Sequence, residues 1–406
     1  MAIPKLALIP SGVKAGKLYS VLPTNGDGDF TTTRNTVATR VNENGLIEEV
    51  ASNVPRLDYS DGGCPSLLLE PASTNLILTS DSGNYGDAPA SETLTISPDG
   101  TNNAVIPTPD SSTDRYQQVL TGGTYATNTL LTYSWYRKRI TTPAISSFVG
   151  DLNIQVLDNL TISEATTQIE SDINGFDRFQ VVVEVTDGSL VSRFRAYFGG
   201  IIGAGNSSIA YFGHQYEANS YATSYIKTVG TTQTRSADTA NGAGNASTFN
   251  DSEGVLMYQI KPIGSDGTHK RITLSDSTSN NRIIMGFDNN NNVTATVFNG
   301  SNQAILGGNY IGKDEMSKYA LKYKASDFAL WLNGFEVDSE TSGGVTYPIG
   351  TLNQFRFEDG NGGLDFYGSA KQVQYYDSAL NDSDLEKLTS WTSFTAMANA
   401  QSYTII

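Results

Sequence analysis

The chain has 406 residues, enough for two or three domains at about 150 residues each, and its 42 acidic side chains outnumber its 26 basic ones to give a net charge of −16. Such a charge repels phosphate backbones and anionic lipids, so we expect neither nucleic-acid binding nor membrane insertion. The single cysteine, Cys64, excludes an intramolecular disulfide and a cysteine-based zinc cluster. The first residues lack a signal peptide's long apolar region, so we expect a soluble protein made in a cytoplasm.

The first part of the chain, residues 1–80, is rich in turn-forming residues. Its apolar pieces are short, such as Leu6–Ile9 and Leu67–Leu69. This is too little apolar surface to predict an independent hydrophobic core. We therefore interpret residues 1–80 as an irregular N-terminal region.

Alternation of apolar and polar residues dominates the rest of the chain. It predicts strands at Leu130–Arg137, Phe179–Val185, Arg193–Phe198, Gly254–Ile260 and Phe328–Leu332. Clusters of Gly, Asn, Asp and Ser separate these segments, a pattern typical of β-sandwiches and jelly rolls. We therefore predict an all-β protein with tandem jelly-roll or sandwich domains over residues 81–230 and 250–391.

Two further segments are assigned from composition. Residues 231–249 are mostly Thr, Ala, Gly, Asn and Ser, which indicates a linker. Residues 392–406 form a short C-terminal tail. One short helix is predicted at Ser383–Thr389, after an Asn381 or Asp382 cap.

Three carboxylates, Glu336, Asp338 and Glu340, alternate along one predicted strand and would share one face. The pattern resembles the E-x-D-x-E strand of laminarinase-like glucanases, which implies a glycan-cleaving site. The alternative is a solvent-facing hairpin arm, because Asn333–Gly334 is a strong two-residue turn signal. We favour the hairpin arm and predict no catalytic residues.

Aromatic residues offer a different kind of site. Trp135 and Arg137 lie on one face of a predicted strand, and Tyr136 lies on the other. Rings that stack on sugar C–H faces, next to a cation that binds hydroxyls, make a glycan platform. Trp135, Tyr136 and Arg137 are thus the candidate glycan-binding residues, with the alternative that these rings fill the sandwich cores.

Oxygen-rich turns give weak calcium candidates at Asp27, Asp29 and Asp288. Asn and Asp also crowd turns for backbone reasons, so we predict no cofactor beyond a possible structural calcium. His214 lies in a strand-like apolar setting and is interpreted as a structural histidine.

Two segments resemble bacteriophage virion proteins of the fibre, spike or appendage type. Residues 65–76, P-S-L-L-L-E-P-A-S-T-N-L, resemble a P-x-L-L-L-E-P-x-x-T-N-L signature. Residues 212–228, F-G-H-Q-Y-E-A-N-S-Y-A-T-S-Y-I-K-T, resemble a G-x-Q-x-E-x-G-x-x-A-T-S-Y-I-P-T segment, with Asn219 in place of Gly and Lys227 in place of Pro. In those proteins the second segment closes a jelly roll like that of carbohydrate-binding modules.

A third resemblance concerns the C-terminal unit. The pieces F-A-L-W-L-N-G (residues 328–334), G-L-D-F-Y-G (363–368) and S-A-L-N-D-S-D-L (378–385) are similar to laminin-G-like, or concanavalin A-like, domains. In such domains the N-G hairpin arm belongs to the framework, which favours the structural interpretation of Glu336.

Together these resemblances imply a virion tail or head fibre that adheres to host-surface or environmental glycans without cleaving them. They also imply assembly in a bacterial cytoplasm, other virion proteins as partners, an attachment or oligomerisation role for residues 1–80, and a homo-oligomer, with a trimer favoured. A purely structural capsid-decoration or fibre component without a ligand is the main alternative. An endoglycanase is the third.

Overall fold

The computed structural model describes residues 2–81, 91–108, 116–121, 123–140, 152–157, 159–190, 193–198, 209–308, 315–345 and 347–390. Within them nearly all regular structure is β, as the alternation predicts. The C-terminal tail, residues 392–406, lies outside the described residues. No helix in the described part of the chain is long and apolar enough to cross a membrane.

The first nine strands come from the N-terminal region. They are β1 (Leu6–Leu8), β2 (Val13–Lys14), β3 (Lys17–Leu18), β4 (Phe30–Thr33), β5 (Ala38–Val41), β6 (Ile47–Val50), β7 (Arg56–Asp58), β8 (Ser66–Leu69) and β9 (Ser73–Asn75).

The next nine strands form a unit that we call the inserted sandwich. They are β10 (Ser91–Thr95), β11 (Ala104–Thr108), β12 (Tyr116–Thr121), β13 (Leu130–Arg139), β14 (Leu152–Leu157), β15 (Leu160–Ile173), β16 (Phe176–Val185), β17 (Arg193–Phe198) and β18 (Ile209–Glu217).

Twelve strands and one helix follow. They are β19 (Gln233–Arg235), β20 (Thr239–Ala243), β21 (Glu253–Pro262), β22 (Lys270–Ser275), β23 (Asn281–Phe287), β24 (Val293–Asn299), β25 (Asn302–Gly308), β26 (Ser317–Lys324), β27 (Phe328–Leu332), β28 (Phe335–Glu340), β29 (Gln354–Arg356), β30 (Gly368–Tyr376) and α1 (Asp382–Thr389). Asn381 caps α1 by accepting from the backbone N–H of Asp384, as predicted.

Strands from both ends of the chain build a second unit, the split sandwich. One of its sheets has the order β28-β27-β26-β21-β30-β8-β7, with β1 also on β30, and the other has the order β2-β3-β4-β20-β29-β22-β23-β24-β25. Inward side chains of both sheets, such as Leu256 and Ile272, fill one core. The outer face of the first sheet is covered by α1 through Leu385 and Leu388.

The N-terminal region is therefore not a separate irregular unit. Its strands β1 and β8 pair with β30, and β4 pairs with β20. Leu6, Leu8 and Phe30 are completely buried in the core of the split sandwich. Residues 1–80 looked too poor in apolar surface because the surface that covers them comes from the other end of the chain.

The predicted linker, residues 231–249, also belongs to a sheet. Strand β19 pairs with β9, and β20 lies between β4 and β29. The small side chains of Ala240 and Ala243 face the core of the split sandwich and are completely buried. Composition indicated a linker since Thr, Ala and Gly suit flexible segments and tightly packed strands alike.

The inserted sandwich packs a six-stranded sheet, β10-β11-β18-β13-β16-β15, against a three-stranded sheet, β12-β17-β14. Tyr133, Val181 and Phe194 lie in the core between them. The outer face of the larger sheet is covered too, because Val41 and Ile47 of the β5–β6 hairpin pack on it in a second cluster. The central strand β13 is thus enclosed on both faces.

Buried charges join the two sandwiches in what we call the junction network: Arg34, Arg56, Glu70, Ser224, Arg235 and Asp238. Arg56 Nη1 lies 2.6 Å from Glu70 Oε2, and its Nη2 donates to Asp238. Arg34 reaches Asp238 Oδ1 at 2.9 Å, and Arg235 reaches Glu70 Oε2 at 3.0 Å. All five charged side chains are at most 5% exposed.

Ser224 brings the inserted sandwich into this network. Its backbone N–H and its hydroxyl donate to the two oxygens of Glu70 at 2.7 and 2.6 Å. Three guanidinium groups face only two carboxylates, and backbone carbonyls such as those of Ala51 and Pro71 accept further hydrogen bonds from the arginines. The charges are therefore held by geometry that needs both sandwiches in place.

Loss of one carboxylate charge should weaken this joint strongly. Glu70→Gln leaves buried arginines without a full counter-charge, and we expect it to lower the free energy of unfolding by about 3–5 kcal/mol. The control is Glu48→Gln, because Glu48 pairs with Arg40 at a site where its side chain is 37% exposed, and such pairs contribute about 1 kcal/mol or less. Chemical denaturation of both variants measures the difference, and equal effects would contradict the buried joint.

The contribution of Glu70 to stability also depends on pH. Burial by itself raises the pKa of Glu70, but the charges of Arg235 and Arg56 and the hydrogen bonds from Ser224 outweigh it and lower the pKa from 4.5 to about 2. The stabilisation from ionised Glu70 is therefore complete above pH 4.5 and is lost as the pH falls towards about 2. We expect the difference in unfolding free energy between wild type and Glu70→Gln to shrink across this window. A constant difference would argue against the lowered pKa.

Candidate functional site

A cleft of about 470 Å³ opens where the two sandwiches meet, and we call it the junction cleft. One wall is the edge strand β15, which supplies Gln168–Ser171. The opposite wall is the end of β21 and the start of β30, with Lys261, Pro262 and Ser369. Because each wall belongs to a different sandwich, the width of the cleft depends on how the two sandwiches are joined.

Gly368 shapes the second wall. Its φ of 150° is unfavourable for other residues, and a Cβ added there would lie 2.1 Å from the carbonyl oxygen of Lys261. Strand β30 can therefore approach β21 closely enough to place Ser369 beside Lys261.

The cleft continues inward into a smaller cavity of about 110 Å³, the inner chamber. Ser60, Leu68, Glu170 and Ser369 line both spaces. The inner chamber alone is also lined by Asp58, Tyr136 and Arg178, among others. A hydroxyl-rich ligand in the outer cleft can thus extend one substituent into a polar cavity.

Asp58 is the most buried acid of the chamber that lacks an arginine partner. It ends strand β7, and its oxygens accept from the backbone N–H groups of Val41 at 2.8 Å and Ser60 at 3.0 Å. Burial raises the pKa of Asp58, and the nearby negative charge of Glu170 adds to the rise, while the hydrogen bonds from Ser60 and Val41 oppose it.

Glu170, unlike Asp58, has an arginine partner. Its Oε1 accepts from Arg178 Nη1 at 2.9 Å, and its Oε2 accepts from the hydroxyl of Tyr136 at 3.2 Å. The guanidinium of Arg178 also lies 5.0 Å from the centre of the Tyr136 ring. This arrangement holds the carboxyl group of Glu170 where it lines both the cleft and the chamber.

The sequence did not single out Asp58, Glu170 or Arg178. Glu170 and Arg178 pair across the β15–β16 hairpin, whereas Asp58 lies on β7, more than a hundred residues earlier, and only the docking of the sandwiches brings it to them. One signal was present, since Arg56 and Asp58 put two charges on a short strand that ends up buried.

The predicted glycan platform does not form. Trp135 is completely buried between the sheets of the inserted sandwich, and Tyr136 is 2% exposed beneath the β5–β6 hairpin. Arg137 lies over the ring of Phe179 at 4.8 Å from its centre. The prediction of an exposed stacking surface is wrong at Trp135 and Tyr136 because both faces of β13 are covered. In the structure these two rings fill the hydrophobic cores, which is the alternative given by the sequence.

The three alternating carboxylates do not share one face. Asn333–Gly334 forms the predicted hairpin turn, with φ angles of 49° and 91°, but the register between β27 and β28 then shifts by one residue. Glu336 pairs with Trp331, which faces α1, whereas Asp338 pairs with Leu330, which faces the sandwich core. The bulge therefore separates Glu336 from Asp338.

The calcium candidates serve as hydrogen-bond acceptors in turns. Asp27 accepts from the side chain of Asn25 at 2.8 Å, Asp29 from the backbone N–H of Ser20 at 2.9 Å, and Asp288 from the backbone N–H of Asn292 at 2.8 Å. Among the described residues, no three or more His, Cys, Asp or Glu side chains are grouped so as to hold a metal.

His214 is a structural histidine, as predicted. It is 1% exposed, and its Nδ1 lies 2.9 Å from the hydroxyl of Tyr133. Burial lowers the pKa of His214 to about 3, so the ring is neutral at physiological pH.

No protein-family model matches the chain, and no curated protein is similar to it in sequence. Among solved structures, it resembles the CBM40 module of the Ruminococcus gnavus IT-sialidase bound to α2,3-sialyllactose, with 17% identity and a TM-score of 0.32 over 37% of this chain and 88% of that one. It also resembles domain 4 of AbnA, a GH43 arabinanase of Geobacillus stearothermophilus, in complex with arabinotriose, with 15% identity and a TM-score of 0.29 over 38% and 73%. Likenesses of this strength carry no inference about ligand or activity.

The position of Trp135 can be tested directly. Trp135→Ala should lower the free energy of unfolding by about 3–5 kcal/mol, because it opens a large cavity in a closed core. Phe335→Ala is the control, since Phe335 is 65% exposed and its truncation should change stability by about 0.5 kcal/mol or less. Denaturant unfolding measures both. If Trp135→Ala were as stable as the wild type, the result would contradict the burial of Trp135 and support the predicted exposed platform.

Proposed function

We propose that the chain is a non-catalytic glycan-binding protein of a bacteriophage fibre or appendage, and that the glycan binds in the junction cleft. The observation that carries this proposal is the cleft itself. A space of about 470 Å³ has hydrogen-bonding side chains on walls from both sandwiches.

The chemistry of the lining suits a polyhydroxylated ligand. Sugar hydroxyls donate and accept, and the cleft offers an amide in Gln168, an ammonium in Lys261, a carboxylate in Glu170 and hydroxyls in Ser171 and Ser369. Ile169, Pro262 and Ile263 add apolar surface for the C–H faces of a sugar ring. A few polar groups that fix orientation on a partly apolar surface are typical of small-molecule sites.

Binding without cleavage is supported by the separation of the carboxylates that the sequence offered as a catalytic pair. Glycoside hydrolysis requires two carboxyl groups on either side of the scissile bond. The bulge in β28 directs Glu336 away from Asp338. In the inner chamber, Asp58 and Glu170 face a space of about 110 Å³, which favours a ring substituent over a whole glycosidic linkage.

The phage assignment rests on the resemblance of residues 65–76 and 212–228 to virion proteins. On this proposal the protein is assembled into the virion in the bacterial cytoplasm, beside other virion proteins and as a homo-oligomer with a trimer favoured. Several copies on one particle would raise a modest single-site affinity through effective concentration.

One observation favours the second candidate, a purely structural virion component. The polar residues of both motif segments serve the contact between the sandwiches. Glu70 belongs to the junction network, Glu217 accepts from Ser73 at 2.6 Å, and Asn75 donates to the carbonyl of Ile226 at 2.9 Å. The motifs therefore support a joint whether or not the cleft holds a ligand.

The test is binding of the purified full chain to an array of bacterial-surface glycans, followed by calorimetry on the best ligand. Replacing both Gln168 and Lys261 by Ala should weaken binding about tenfold or more, because the double variant loses one hydrogen-bonding group from each wall of the cleft. Lys387→Ala on α1 is the control and should leave binding unchanged. An array that stays blank at high multivalency favours the structural candidate, and release of reducing ends from the glycan would favour an enzyme.

A further inference from the structure

The inner chamber contains one buried carboxyl group without a cationic partner. Asp58 is 6% exposed and is held by N–H and O–H donors of Val41 and Ser60. In the part of the chain that the structure describes, no Lys or Arg nitrogen forms an ion pair with it. A carboxylate that is buried without a cationic partner favours a positively charged ligand group.

The other charges around the chamber are already matched. Arg40 pairs with Glu48, its Nε lying 2.7 Å from Oε1. Glu70 is held by two arginines of the junction network. Glu170 pairs with Arg178 at 2.9 Å. The charge that remains for a ligand is therefore that of Asp58.

Arg178 also lines the chamber, and one of its nitrogens has no hydrogen-bond partner. Its Nη1 donates to Glu170, and its Nη2 donates to the carbonyl of Thr223 at 2.7 Å and the hydroxyl of Ser134 at 3.1 Å. Its Nε is buried and has no hydrogen-bond partner, although the side chain is only 1% exposed. A buried N–H of this kind calls for an oxygen acceptor.

We infer that the inner chamber is a subsite for the free amino group of a 2-amino sugar, with the amine on Asp58 and a neighbouring ring hydroxyl accepting from Arg178. This inference rests on the junction cleft being the glycan site proposed above. An amine and a hydroxyl on adjacent carbons supply one cationic donor and one oxygen acceptor side by side. The chamber volume of about 110 Å³ accommodates such ring substituents while the ring lies in the cleft.

The same charge balance disfavours acidic sugars. A carboxylate or phosphate that entered the chamber would face Asp58 and Glu170, on a chain whose net charge is −16. An N-acetyl group removes the positive charge of the amine and adds bulk. The expected order of affinity is thus free amine first, N-acetylated sugar second and uronic acid last.

The experiment compares three tetrasaccharides on the full chain by calorimetry at slightly acidic pH: β1,4-linked glucosamine, its fully N-acetylated form, and an oligomer of glucuronic acid. We expect glucosamine to bind about tenfold or more tightly than the N-acetylated form, the size of a hydrogen bond to a charged group. Tetralysine is a further probe, because it reports general attraction of a polycation to the acidic chain.

Asp58→Asn should abolish the preference for the free amine, whereas Glu386→Gln on α1 removes an exposed charge and should preserve it. Circular dichroism checks that each variant is folded, and if Asp58→Asn fails to fold, the comparison of the sugars on wild type still decides. Equal binding of glucosamine and its N-acetylated form would overturn the subsite and leave the cleft as the glycan site. Equal binding of tetralysine and glucosamine would also overturn the subsite. Absence of binding by all three sugars would overturn the subsite as well, whereas the glycan array decides separately whether the cleft binds glycans.

Discussion

The pairing of Arg56 with Glu70 and Asp238 is the interaction on which the rest of the structure depends. It lies where the closing segment of the inserted sandwich, through Ser224, meets strands from both ends of the chain. Charges buried this deeply are stabilising only when every partner is in place. The joint therefore acts as an all-or-none contact, and the cleft and chamber above it inherit a fixed geometry.

The two motif segments, residues 65–76 and 212–228, meet at this joint. Glu70, Asn75, Gln215 and Glu217 of these two segments are buried at the junction, whereas Gln168 on the cleft wall is exposed and Lys261 is half-buried. Both segments also reach the candidate site, because Leu68 lines the cleft and Thr223 and Tyr225 line the inner chamber.

Local patterns predicted what depends on local sequence. Strands β13, β16, β21 and β27, the turn at Asn333–Gly334 and the capped helix α1 all follow from alternation, turn chemistry and capping. The N-terminal region and the supposed linker were misjudged because their short strands are buried by partners that are distant in sequence. Trp135 and Tyr136 were misjudged because alternation does not reveal that both faces of a strand are covered. The bulge beside Glu336 depends on pairing register, which a single strand does not encode. Asp58 meets Glu170 and Arg178 only after the two sandwiches dock.

The split of one sandwich around the other has a consequence for synthesis on the ribosome. All strands of the inserted sandwich emerge before most of the second core exists, so this unit can fold early on contacts within its own stretch of chain. Strands β1 and β8 must wait for β30, which is translated after every other strand described here. Until then Leu6 and Leu8 have no permanent cover, and the nascent chain has a long interval in which its N-terminal strands depend on chaperones or transient contacts.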